Sequence, residues 1–165
     1  MLSYERRRLL LTALALPLAA CGFVPVYKSG NPARALRGNI RFELIESEDG
    51  FNLLETLEKE LGRAGPNALY STKVELSVTE ESLTLTTATS LDRNTLIGKA
   101  TISVTSRTSG EIVFEDTLSD VAGFSSSAET AASTASRHDA RTRLIASLAH
   151  KIVLRLTSTA ESWVE

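Results

Sequence analysis

Leu96-Ile97-Gly98-Lys99-Ala100-Thr101-Ile102-Ser103-Val104-Thr105 is the stretch on which the fold turns. Ala100, Ile102 and Val104 fall on one side of an extended chain and polar residues on the other. That period of two is the signature of a half-buried strand. Ser109-Gly110 then signals a tight turn, and Ile112, Phe114 and Leu118 begin another strand. Two strands joined by a short turn pair antiparallel. An antiparallel hairpin with one apolar face needs a layer to cover that face, and the neighbouring segments supply it.

Upstream, Val74, Leu76 and Val78 alternate with Lys73, Glu75 and Ser77, which predicts a strand before the hairpin. Leu83 to Thr86 extends it beyond a bulge or turn near Glu80-Glu81-Ser82. Earlier still, residues 40–46 place Ile40, Phe42 and Leu44 on one face of a further strand. Asp49-Gly50 punctuates, and Phe51, Leu54, Leu57 and Leu61 then recur at helical spacing, with Glu55 and Lys59 as an i,i+4 pair. Gly62 and Gly65-Pro66 end that helix.

Downstream, the thirty residues from Ala128 to Thr157 contain no glycine or proline. Ile145, Leu148, Ala149, Ile152 and Leu156 form an i, i+3, i+4 stripe, which Ala128, Ala131 and Ala135 extend with small side chains. Ser125, Ser126 and Ser127 are candidate N-caps, and Glu129 suits the helix dipole. The alanine-rich first half buries little by itself. Ala160 to Glu165 reads as a tail in which Trp163 has no core role. The order strand, helix, strand, strand, strand, helix gives an α+β fold: a four-stranded mixed sheet with two helices packed on one face. The other face is rich in threonine and serine, and is either solvated or used by a partner.

Before the domain, Glu5-Arg6-Arg7-Arg8 leads into an apolar run ending Leu18-Ala19-Ala20-Cys21. A basic start, an apolar core and a small-residue exit make a secretory signal, and the run is too short for the ~20 residues of a membrane span. The last four residues resemble a bacterial lipobox. That resemblance implies a signal at 1–20, cleavage after Ala20, and lipidation of Cys21, the only cysteine. The competing reading is a chance thiol at the end of an ordinary signal or anchor. Export by a twin-arginine route stays open, because paired arginines precede the leucines. Residues 21–38, with Pro25 and Pro32, read as an extended tether, residues 39–159 as the domain and 160–165 as the tail.

Without residues 1–20 the chain keeps 145 residues, enough for one core. Its net charge moves from −2 to −4, because Arg6, Arg7 and Arg8 leave with Glu5. Such a balance carries no global nucleic-acid footprint. With Cys21 lipidated there is no disulfide framework, and two histidines, His138 and His150, offer little to a metal.

No catalytic set emerges. His138 and Asp139 are consecutive on a predicted helix and do not face each other. Glu80 and Glu81, consecutive on a strand, point to opposite faces. The glycines are dispersed, with no phosphate-cradling loop. Binding is what remains. Arg93, Lys99 and Arg107 would form a cationic patch for phosphate if they converge, or edge charges that discourage aggregation if they do not.

Several strings resemble the LPS-assembly lipoprotein family (LptE) in its alphaproteobacterial form. They are Cys21-Gly22-Phe23-Val24-Pro25-Val26-Tyr27, Asp92-Arg93 to Gly98-Lys99-Ala100, Phe124-Ser125-Ser126, and Asp139-Ala140-Arg141-Thr142-Arg143-Leu144 running to Leu156. The resemblance implies an outer-membrane lipoprotein, anchored on the periplasmic side, with neither enzymatic activity nor cofactor. It would plug and help assemble the LptD β-barrel and bind lipopolysaccharide during export, with Arg93 as the foremost contact and Lys99 and Arg107 behind it. The alternative is a general envelope lipoprotein that binds lipid or scaffolds another complex.

Overall fold

Spatial order in the sheet follows chain order. In the computed structural model, which describes residues 32–83, 92–126 and 130–164, β1 (Ile40–Phe42), β2 (Tyr70–Leu83), β3 (Asp92–Ser106) and β4 (Ile112–Ser126) lie side by side as β1-β2-β3-β4. β1 is parallel to β2 and the other two pairings are antiparallel, so the sheet is mixed. α1 (Pro32–Ala35) is a single turn, α2 (Glu48–Leu61) is the crossover between β1 and β2, and α3 (Thr130–Thr159) ends in a 3₁₀ turn at Ala160–Ser162.

One core joins these elements. Thr72 and Val74 of β2, Leu96, Ala100, Ile102 and Val104 of β3, and Ala122 and Phe124 of β4 are buried. The even-numbered positions of the sheet therefore face the helices. Leu53, Leu57 and Leu61 come down from α2, and Leu144, Ile145, Leu148, Ala149, Ile152, Val153 and Leu156 from α3. α3 crosses β3 at Gly98, where a Cβ would stand 2.7 Å from Leu148 Cδ1 and 3.2 Å from Leu144. Only a residue without a side chain lets the helix lie so close.

The structure departs from the sequence reading in several places. β1 stops at Phe42, and Leu44 is 71% exposed instead of lying on the inner face. The chain has by then made its last ladder bond, Glu43 N–H to the Thr72 carbonyl, and turns toward α2. That helix starts before Asp49-Gly50. Ser47 caps it by accepting from the Gly50 N–H at 3.0 Å, and Gly50 sits in the first turn because Ile45 occupies the space of a Cβ. The buried stripe is consequently Gly50, Leu53, Leu57 and Leu61, and Phe51 lies outside it, 60% exposed.

No bulge interrupts β2 near Glu80-Glu81-Ser82; the β2–β3 register runs unbroken from Tyr70 opposite Ser106 to Leu83 opposite Arg93. The irregularity falls instead at Val104/Thr105 against β4, where Phe114 and Ile112 pair with consecutive residues. This turns Ile112 away from the core, and it is 62% exposed. Ser125 and Ser126 are strand residues and not helix caps. Ala131 and Ala135 are exposed, so the inward stripe of α3 begins at Ala140.

The ends of the domain differ most. Pro32–Ala35 is helical, and Ala33 and Leu36 are fully buried, so the last part of the expected tether belongs to the core. Trp163 is 7% exposed, packs edge-on to Tyr70 with ring centroids 5.4 Å apart, and leans on Phe114 at 5.7 Å. The tail is thus a plug at one end of the sheet. Cys21, the residues around it, Thr84 to Leu91, Ser127, Ala128 and Glu129 lie outside the described residues.

Candidate functional site: the open face of the sheet

The odd-numbered positions of β2 and β3 face away from the helices. β3 presents Arg93, Thr95, Ile97, Lys99, Thr101 and Ser103 there, flanked by Lys73, Glu75, Ser77, Thr79 and Glu81 of β2. From β4 come Glu115, Thr117, Ser119 and Val121, with Val121 directly opposite Ile97 and 63% exposed. No described element covers this face. It is a hydroxyl-rich surface with one apolar pair at its centre, knit by Thr101 to Thr117 at 3.2 Å and by Ser103 donating to Glu115.

Arg93 and Lys99 share this face, and both are exposed. Six residues separate them on one strand, about 20 Å. Lys73 is held by Glu75 at 2.7 Å, whereas among the described residues Arg93 and Lys99 have no ion-pair partner. Arg107 does not join them. It lies beyond the opposite end of β3, where its guanidinium donates to the Ala68 carbonyl at 2.7 Å and its N–H to the Leu69 carbonyl at 2.8 Å. Its work is to fasten the hairpin turn to the segment before β2. The expected three-residue patch is therefore two cations spread along one face, plus a structural arginine.

The helix side is laced with charge that composition alone did not locate. Asp116 receives Arg155, and Asp120 receives both Lys151, at 2.8 Å, and the Ser147 hydroxyl. Ser147, Lys151 and Arg155 are four apart on α3, so they share one flank and meet two aspartates of β4. The Arg155 guanidinium holds the Asp116 carboxyl below the usual range, with help from the Thr117 N–H. Burial pushes the Asp120 carboxyl up, but hydrogen bonds from Lys151, Ser147 and the Val121 N–H outweigh it and leave it below its ordinary value. On the other flank Arg141 grips Asp49 and His150 meets Glu60, both at 2.5 Å, while Arg137 pairs with Glu80 at 3.2 Å and stacks over Phe124. The Asp49 carboxylate raises the Arg141 guanidinium above its ordinary value.

The histidines fall on this helix flank and not on the open face. His150 is exposed and bridges α3 to α2. His138 lines a groove of about 410 Å³ between the two helices, with Glu48, Asn52, Glu55 and Thr142. Its neighbour Asp139 is engaged with Arg143 one turn on. Among the described residues no cluster of histidine, cysteine and carboxylate has the make-up of a metal site. No helix of the described residues is long and apolar enough to cross a membrane.

No protein-family model matches this chain, and no curated protein matches it either. Its fold is found in solved structures. A candidate lipoprotein from Caulobacter crescentus superposes with a TM-score of 0.62 at 23% identity, over 78% of this chain and 96% of that one. A minor lipoprotein from Acinetobacter baumannii gives 0.62 at 18% identity, over 74% and 92%. Rare lipoprotein B from Shewanella oneidensis gives 0.55 at 14%, over 73% and 93%. At such identities the likeness is one of fold. The chain therefore has the α+β fold of these three proteins, spanned almost end to end.

Proposed function

We propose that this chain is a lipid-anchored envelope protein that serves as the lipoprotein subunit of a lipopolysaccharide translocon. The observation that carries the reading is a coincidence of two independent features. Leu18-Ala19-Ala20-Cys21 has the form of a lipobox, and the domain that follows has the fold of three proteins themselves called lipoproteins. In this reading Cys21 carries the acyl anchor, and the domain sits on the periplasmic side of the outer membrane as a plug and assembly aid for an LptD-type barrel. The face rich in hydroxyls, with Arg93 and Lys99, meets lipopolysaccharide, whose phosphates suit arginine and lysine and whose sugars suit threonine and serine. The protein acts by binding, without catalysis or cofactor.

Pull-down of the lipidated protein from its own outer membrane in mild detergent is expected to bring a large β-barrel in about equal amount. Recovery of the domain alone would remove the barrel from the reading and leave a general envelope lipoprotein. For the open face, Arg93→Glu with Lys99→Glu is expected to lower lipopolysaccharide binding about tenfold or more at an unchanged melting temperature. Unchanged binding would clear both residues of that role.

A further inference from the structure

The two edges of the sheet are finished differently. Successive residues of a strand turn their N–H and C=O groups to alternate sides. On β2 the Tyr70 N–H bonds to the Asn39 carbonyl, and the Thr72 carbonyl accepts from Glu43, so even positions point toward β1. Because the β2–β3 register is unbroken, odd positions of β2 and β3 bond each other, even positions of β3 reach β4, and odd positions of β4 point outward.

The β4 edge is closed by its own side chains. The Thr117 N–H donates to Asp116 at 2.8 Å, the Val121 N–H to Asp120 at 3.0 Å, and the Ser119 carbonyl accepts from Lys151 at 3.1 Å. The middle of that edge has no bonds left to offer a new strand. This is the kind of guard natural sheets place on an edge.

The β2 edge has no such guard. β1 covers it only as far as Phe42 opposite Thr72, and the last bond is that of Glu43. Beyond it the N–H and C=O groups of Val74, Leu76, Val78, Glu80 and Ser82 point outward. Among the described residues nothing bonds to them. Just past the point where β1 leaves, Leu44 stands exposed.

We infer that this edge pairs antiparallel with the same edge of a second copy of the chain, about a two-fold axis at Ser77. The occupant follows from the charges. In this register Lys73 of each copy stands opposite Glu81 of the other on the open face, Glu75 opposite Thr79, and Ser77 opposite itself. On the helix face Leu76, half-buried in the single chain, meets the equally half-buried Val78 of the second copy. Val74 lies opposite Glu80, whose carboxylate stays with Arg137. Oppositely charged residues directly across from each other stabilise a strand pair, and like charges oppose it. Sliding by two residues one way sets Glu75 against Glu81, and sliding the other way leaves Lys73 opposite Thr79. A slide by one would turn every side chain to the wrong face. β1 does not obstruct this register, because the paired stretch begins where β1 ends. The contact is isologous and closes on two copies.

Cysteine cross-linking tests the register, in the full chain carrying Cys21→Ala so that the introduced thiol is the only one. Residues opposite each other at a non-hydrogen-bonded pair have Cα atoms about 4.5 Å apart, within disulfide range. Under mild oxidation, Ser77→Cys is expected to run largely at twice the chain mass on a non-reducing gel. Glu75→Cys alone and Thr79→Cys alone should stay at least fivefold less linked, while an equal mixture of the two links to each other. Ser119→Cys, on the guarded edge, should stay monomeric. Ser77→Cys linking no faster than Ser119→Cys overturns the proposal. So does Glu75→Cys linking to itself as fast as Ser77→Cys, or Ser77→Cys linking to a different protein.

Discussion

Gly98 is the residue at which packing is least forgiving. A methyl there would stand 2.7 Å from Leu148 Cδ1 in a fully buried site. Gly98→Ala is expected to cost about 1–3 kcal/mol, as overpacked cores do, and Leu148→Ala should recover part of it. A urea midpoint for each single variant and the pair checks the non-additivity. Asp116 and Asp120 carry a pH signature. Both carboxyls titrate lower in the folded chain than in the unfolded one, so their contribution is present above the ordinary carboxyl pKa of about 3.9 and is lost as pH falls through the folded values. Asp116→Asn with Asp120→Asn should therefore lower the melting temperature at pH 7, each pair being worth up to about 1 kcal/mol. The gap to the parent should close below about pH 4. A gap that holds constant into acid would show that these pairs do not stabilise α3 on β4. Arg107 shows why residue type alone misleads. Nothing in the sequence reveals that its guanidinium ends on the Ala68 carbonyl, 39 residues away.

At the scale of elements, β3, β4 and α3 were legible because their side-chain periods are long and clean. Ala100, Ile102 and Val104 are buried as the alternation requires, and so are Leu148, Ile152 and Leu156. Leu44, Phe51 and Ile112 were illegible for a shared reason. Each continues a local apolar pattern past the point where the chain leaves the core, and only tertiary geometry marks that point. Trp163 is the reverse case: it follows no pattern, yet the 3₁₀ turn after α3 swings it onto Tyr70. Trp163→Ala is expected to cost about 3–5 kcal/mol, in line with large aromatic truncations in cores. Chemical denaturation followed by circular dichroism measures it, and a loss under 1 kcal/mol would make the tail an ornament. The unguarded β2 edge was likewise hidden, since no spacing rule says that β1 stops after three residues.

For the whole molecule, the fold was readable in outline and the face that acts was readable only as a choice. The sequence left the polar side of the sheet either solvated or used; the structure leaves it uncovered, with Arg93 and Lys99 on it and Arg107 elsewhere. Anchor and domain are separable in this picture. Cys21→Ala should move the protein out of the outer-membrane fraction while its far-ultraviolet circular dichroism and melting temperature stay the same. An unfolded variant would contradict that separation. The most direct measurement is depletion of the protein in its own host, with surface lipopolysaccharide and the folded β-barrel assayed in the same cells. Both are expected to fall together, and re-expression is expected to restore both. Normal surface lipopolysaccharide and a fully assembled barrel after depletion would contradict the proposed role.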